Sequence, residues 1–169
     1  MWGFTGIDEV ELDHGYYFQG EETTHGSIRV SGKISGENHP FVEHYKFVKQ
    51  FEDEHCIARQ TMPAPAQLLA ELYREDNGKN TDAVYPDHEQ LLQDIAAAYR
   101  TVIADLYAAG CRSIQFDDCT WGMFCDPNYQ IIMERIWGAD FEGESRTLDM
   151  HIKTLRHKLG ESEIGRAHV

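Results

Sequence analysis

The chain reads as α/β on three observations. Strand-like runs and helical stretches alternate between residues 27 and 117 in the order strand, helix, strand, helix, helix, strand. That order is the one parallel βαβ units produce. Leu91, Ile95, Tyr99, Val102 and Leu106 form one long apolar stripe of helical period. With 41% hydrophobic and 26% charged side chains, 169 residues suffice for one packed core but fall short of the about 250 that a closed eightfold barrel takes.

Taken in order, residues 1–20 are aromatic, acidic and punctuated by glycine, without clear periodicity. Residues 27–34 (SIRVSGKI) alternate as a strand does and close on Ser35-Gly36. Pro40 suits a helix start, and Phe41, Val42, Tyr45, Val48 and Phe51 follow at 3/4 spacing. Residues 56–62 predict a short buried strand, which Pro63-Ala64-Pro65 prevents from continuing. Helical spacing returns at 66–74 through Leu68, Leu69 and Leu72, and 76–80 (DNGKN) reads as a loop. Asp87 is a candidate N-cap with Gln90 three residues on, a box-like start for the long stripe that ends at Gly110. Residues 111–116 (CRSIQF) read as the last strand of the series.

Charge is divided unevenly. Residues 1–127 carry 9 basic and 22 acidic side chains, whereas 128–169 carry 6 and 7, so a domain boundary is expected between them. The net charge of −14 argues against nucleic acid as the partner of the chain as a whole. No apolar run approaches the ~18 residues of a membrane span, and residues 1–20 lack the pattern of a signal peptide. Cys56, Cys111, Cys119 and Cys125 show no CxxC pairing. Reduced thiols in a cytoplasmic protein are therefore expected, with no membrane partner.

In βαβ units chemistry gathers at the carboxyl ends of strands, and two candidates sit there. The first is the kinked exit 60–65 (QTMPAP), including Thr61, which also reads as a plain two-proline turn. The second is the pair Asp117-Asp118, followed by Cys119, Thr120 and Trp121. Adjacent carboxylates cannot both enter a core without partners, because desolvating a charge is costly; capping the next helix is the alternative. His25 lies near two acids in a loop that solvent alone explains. No His or Cys set has metal-ligand spacing, Cys119 and Cys125 being six apart.

Five segments carry a resemblance: 18–26 (FQGEETTHG), 29–34 (RVSGKI), 39–47 (HPFVEHYKF), 58–67 (ARQTMPAPAQ) and 109–118 (AGCRSIQFDD). Their order and spacing over about 2–127, roughly three quarters of the chain, resemble the cobalamin-independent methionine synthase family, in particular its short single-barrel relatives. The resemblance implies a partial TIM-type (β/α) barrel over 1–127. It also implies methyl transfer from a methyltetrahydrofolate to homocysteine, with zinc activating the thiol. Asp117 matches the family's strand-tip Asp that holds the homocysteine amino group, Asp118 an often acidic position that supports it, and Thr61–Pro65 a strand end on the folate side. The family's zinc ligands, a His-x-Cys, a Glu and a last Cys, come after the strand matching 112–117 and have no counterpart here. Its Asp-Gly-Glu segment would lie before Met1. The chain is therefore expected to be an inactive fragment, with no zinc ligands and no catalytic residue of its own.

Beyond Pro127 the resemblance changes. Residues 131–138 (IIMERIWG) and 140–160 (DFEGESRTLDMHIKTLRHKLG) resemble the winged-helix DNA-binding domain of two-component response regulators, without its wing, over 128–162. Ser145 suits an N-cap, Leu148, Ile152, Leu155 and Leu159 form an apolar stripe, and Gly160 suits the stop. Arg146, Lys153, Arg156 and Lys158 lie mostly off that stripe, as a helix in a major groove requires. A solvated basic face is the plainer reading. DNA is the partner under this alternative. Residues 163–169 (EIGRAHV) resemble neither family, and one back-translation of them reads as the start of a common sequencing adapter. An artefactual tail, and a join near 127–130 from a misassembled read, are expected; a real fusion is the rival.

Overall fold

The computed structural model describes residues 2–15, 17–18, 20–74 and 77–120. The chain divides into two units, Met1–Thr120 and Trp121–Val169. Arg146, Lys153, Arg156, Cys125 and the expected winged-helix fragment therefore lie outside the described residues.

Strands β1 (Thr5–Glu11), β2 (Tyr17–Phe18), β3 (Glu21–Glu22) and β4 (Gly26–Ser35) come first. Helix α1 (Phe41–Lys49), strand β5 (Gln60–Pro63), helices α2 (Pro65–Leu72), α3 (Asn77–Val84) and α4 (His88–Ala108), and strand β6 (Ile114–Asp117) follow. The class is mixed α/β. The described strands form three two-stranded sheets and no closed barrel.

The expected parallel arrangement holds for one pair. β5 and β6 run parallel, Gln60 opposite Ile114 and Pro63 opposite Asp117, with three helices between them in sequence. β4 departs from it. It pairs antiparallel with β1, Ile7 opposite Val30 and Glu11 opposite Gly26. The acidic run 5–11 was not expected to form a strand. Its apolar positions are few, but Ile28, Val30 and Ile34 of β4 are almost fully buried, and β1 completes the backbone pairing of Ile28 and Val30. Gly6, at φ +80, sits where the register shifts; a side chain there would overlap the Lys33 carbonyl.

Two further expectations are corrected. β5 starts at Gln60 rather than Cys56, because the preceding backbone is spent on a turn in which Asp53 Oδ1 accepts from the His55 and Cys56 amides. Residues 77–80 of the expected loop form the first turn of α3 instead. Asn77, Gly78 and Asn80 give it little intrinsic helicity, and side-chain bonds to β4 supply what propensity does not. Asn77, wholly buried, donates to Ser27 Oγ and the Ile28 carbonyl and accepts from Arg29 Nε. Asn80 donates to the Val30 carbonyl, and Thr81 to the Leu72 carbonyl.

The core centres on α4. All five stripe residues are buried, and they pack with Phe4, Ile28, Val30, Ile34, Tyr45, Met62, Leu68 and Leu72. Asp87 caps the helix by accepting from the Glu89 amide. Gln90 does not complete a capping box; it donates to the buried Asp94 instead. The α1 stripe is only partly covered: Tyr45 is buried, while Val48 and Phe51 are 47% and 66% exposed. Cys56, Cys111 and Cys119 are free thiols. Among the described residues no helix is long and apolar enough to cross a membrane.

Candidate functional site

Helix α4 and the loop after it deliver β6 alongside β5, so both strands end at the same edge of the parallel pair. The Ala64 amide donates to the Asp117 carbonyl at 2.9 Å, and the Cys119 amide donates to Gln67 Oε1 at 3.2 Å. These two bonds tie the exit of β6 to the start of α2. The buried Tyr99 hydroxyl of α4 donates to the Pro63 carbonyl at 2.8 Å, fixing the exit of β5 from the other side. Burial pushes that hydroxyl far above the usual tyrosine range, so it remains a donor at any working pH.

The two-residue side-chain period of a strand then sorts the candidates. Met62, 2% exposed, faces the helices and the core. Thr61 and Pro63, with Gln115 and Asp117 opposite them, occupy the other face of the pair. The structure thus brings Thr61 and Asp117 onto one open face, both exposed. Asp117 Oδ1 accepts from Gln115 Nε2 at 2.7 Å. Gln115 Oε1 in turn accepts from Arg59 at 3.1 Å, and the same guanidinium donates to Ser113. This chain leaves Asp117 Oδ2 without a protein donor among the described residues. An exposed carboxylate oriented by a side-chain amide is the arrangement that receives an ammonium group.

Asp118 is used differently. Its Oδ1 accepts from the Thr120 amide at 2.9 Å and the Thr120 hydroxyl at 2.6 Å, which caps the turn after β6. Sequence reasoning did not single out Arg59 and Gln115; the i, i+2 spacing of Gln115 and Asp117 on one strand was the available signal. His25 sits elsewhere, 3.5 Å from Glu22 and 46% exposed, with its other ring nitrogen against the Leu12 carbonyl. Among the described residues no three His, Cys, Asp or Glu side chains converge as a metal ion requires.

Comparison with known proteins finds two kinds of relative. Residues 128–168 match the family model described as transcriptional regulatory protein, C terminal. The chain is 28% identical to YxjH of Bacillus subtilis over 137 residues, covering 80% of this chain and 34% of that protein. It is 30% identical to YxjG of the same organism over 120 residues, 70% of this chain and 30% of the relative. A 30-residue stretch is 60% identical to the heme response regulator HssR of Staphylococcus haemolyticus, covering 18% and 13%. The chain thus spans about a third of the length of the first two relatives. Among solved structures it is similar to a proposed vitamin-B12 independent methionine synthase from Listeria monocytogenes, with a TM-score of 0.53 and 28% identity, covering 73% of this chain and 32% of that one. In its α/β part the chain is thus similar in fold to that Listeria protein, and over residues 128–168 it is similar to the C-terminal domains of transcriptional regulators.

Proposed function

We propose that residues 1–127 form part of a TIM-type barrel of the cobalamin-independent methionine synthase kind, whose retained role is to hold the amino group of homocysteine at Asp117. The observation that carries this reading is the shared open face of Thr61 and Asp117 at the carboxyl ends of two parallel strands. Gln115 and Arg59 act as positioning residues that fix the carboxylate. Thr61 supplies a hydroxyl two strand positions from the tip, on the side the resemblance gives to folate. Asp118 supports the site by closing the turn beneath it.

Zinc does not fit. In the family it makes a thiolate, which Asp117 cannot do. Cys119, two residues on from Asp117, has no convergent partners among the described residues, so no step of methyl transfer is derived for this chain. Binding without turnover is expected. A 1H–15N titration of the full chain with homocysteine tests it. Shifts concentrated at 60–64 and 114–119 support the reading, and shifts scattered over the surface or absent refute it.

The match over 128–168 favours a second reading for that segment, DNA binding through Arg146, Lys153 and Arg156. Each lost phosphate contact lowers the salt slope by about one. A fluorescence titration of the full chain against duplex DNA at several salt concentrations measures that slope. Tight, salt-sensitive binding that Arg146→Ala or Lys153→Ala weakens supports this reading, and a flat, weak signal removes it.

A further inference from the structure

A strand face that fixes an anion and a cation a set distance apart can recognise a ligand carrying the opposite pair. The face of β5 and β6 that bears Asp117 holds one of each. Arg59 directly precedes β5 and Ser113 directly precedes β6, in the register that sets Gln60 opposite Ile114 and Pro63 opposite Asp117. The two-residue period places Arg59, Thr61 and Pro63 on that face together with Ser113, Gln115 and Asp117.

The two charges are held apart by one side chain. Gln115 Oε1 accepts from Arg59 Nη1 at 3.1 Å, and Gln115 Nε2 donates to Asp117 Oδ1 at 2.7 Å. Across the width of a single amide group, these bonds keep the guanidinium nitrogen within about 8 Å of the carboxylate oxygen. Among the described residues the guanidinium has neutral partners, Gln115 and the Ser113 hydroxyl, which accepts from Nε at 3.1 Å. These bonds leave donors over in a rigid fork whose geometry fits a carboxylate. Closure of a barrel over this face withdraws water from both charges, and a guanidinium held by neutral groups alone is then costly.

We propose that Arg59 binds the carboxylate of the amino acid whose amino group Asp117 holds, so that this face recognises an α-amino acid zwitterion at both ends. The proposal rests on the reading of Asp117 given above. The ammonium and carboxylate of an α-amino acid, each with one charge-assisted hydrogen bond, span about 6–9 Å between the protein atoms that receive them. That is the separation Gln115 sets. A simple amine leaves Arg59 unanswered, and a simple carboxylic acid leaves Asp117 unanswered. Arg59 thus both orients Gln115 and touches the ligand.

Titration of the full chain, followed by 1H–15N shifts under reducing conditions, tests this with homocysteine and with 3-aminopropane-1-thiol, which is homocysteine without its carboxylate. The wild type should bind homocysteine about tenfold or more tightly than the amine, since one charged hydrogen-bonded contact separates them. Arg59→Gln should abolish that preference by weakening homocysteine alone, and Arg59→Lys, which keeps the charge and loses the fork, should fall between. Arg59 is exposed, so circular dichroism should be unchanged in both variants. Equal affinity of the wild type for the two ligands overturns the proposal. So does an Arg59→Gln that weakens both by the same factor, because Arg59 would then act through Gln115 only, and the reading of Asp117 would stand. Asp117→Asn should weaken both ligands. Where it weakens neither, or where the amine does not bind the wild type, the reading of Asp117 fails and the two-ended site falls with it.

Discussion

Replacing Tyr99 separates what its ring contributes from what its hydroxyl contributes. Tyr99 is 3% exposed, its ring lies 4.9 Å from Phe4 and 6.2 Å from Phe116, and its hydroxyl donates to the Pro63 carbonyl. Tyr99→Phe removes one hydrogen bond and leaves that carbonyl on the partly exposed edge of β5, where water can reach it. A loss of about 1 kcal/mol follows. Tyr99→Ala also empties the space between the first residues, α4 and β6, and a buried aromatic truncated to alanine costs about 3–5 kcal/mol. Domains have only about 5–15 kcal/mol in total. At a urea slope of about 2 kcal/mol per molar, the midpoints should fall by about 0.5 M and about 1.5–2.5 M. Urea unfolding followed by tryptophan fluorescence and by circular dichroism gives both numbers. Equal losses in the two variants would refute the reasoning, because the ring would then contribute nothing beyond the hydroxyl. A Tyr99→Ala shift as small as that of Tyr99→Phe would place the core elsewhere than on α4.

Three further expectations follow from the same geometry. His39, 1% exposed, donates from Nε2 to the Trp2 carbonyl and accepts the Phe41 amide at Nδ1; burial holds its imidazole below the usual value. The unfolded chain then takes the proton first as pH falls. Stability should be full above about pH 6.5 and decline below it toward the folded value, and urea midpoints at pH 7.5 and 5.5 should differ more in the wild type than in His39→Gln. Gly36→Ala would drive a methyl group into the Ala98 carbonyl of α4 and should cost about 2 kcal/mol or more, whereas Gly32→Ala, with open space around it, should cost less than about 1. Either order of these two melting temperatures other than that one contradicts the β4–α4 packing. Elemental analysis of the purified chain should find less than one equivalent of zinc; a full equivalent that resists a chelator and disappears in Cys119→Ser or Cys125→Ser would contradict the absence of a ligand set.

What the sequence made legible is what local spacing encodes. The α4 stripe could be read because its buried residues recur every three or four positions along one uninterrupted helix, and the β5–β6 pair because Pro63 and Gly110 punctuate two short apolar runs. β1 and α3 could not be read locally. Three of the seven β1 residues are acidic, and the strand owes its existence to the backbone of β4. α3 begins on residues that disfavour helix and is held by Asn77, Asn80 and Thr81 reaching residues up to 50 positions away. The site divides in the same way. Asp117 and Thr61 stood out because strand ends can be found from spacing. The orienting relay from Arg59 through Gln115 depends on which strands are neighbours, and no single strand contains that information.

Calorimetric titration of the full chain with homocysteine and with its analogue lacking the amino group tests the assignment of Asp117 most directly. Measurable heat is expected with homocysteine, little with the analogue, and loss of the difference in Asp117→Asn while circular dichroism stays unchanged. Equal heats from the two ligands, or a difference that survives Asp117→Asn, would contradict it.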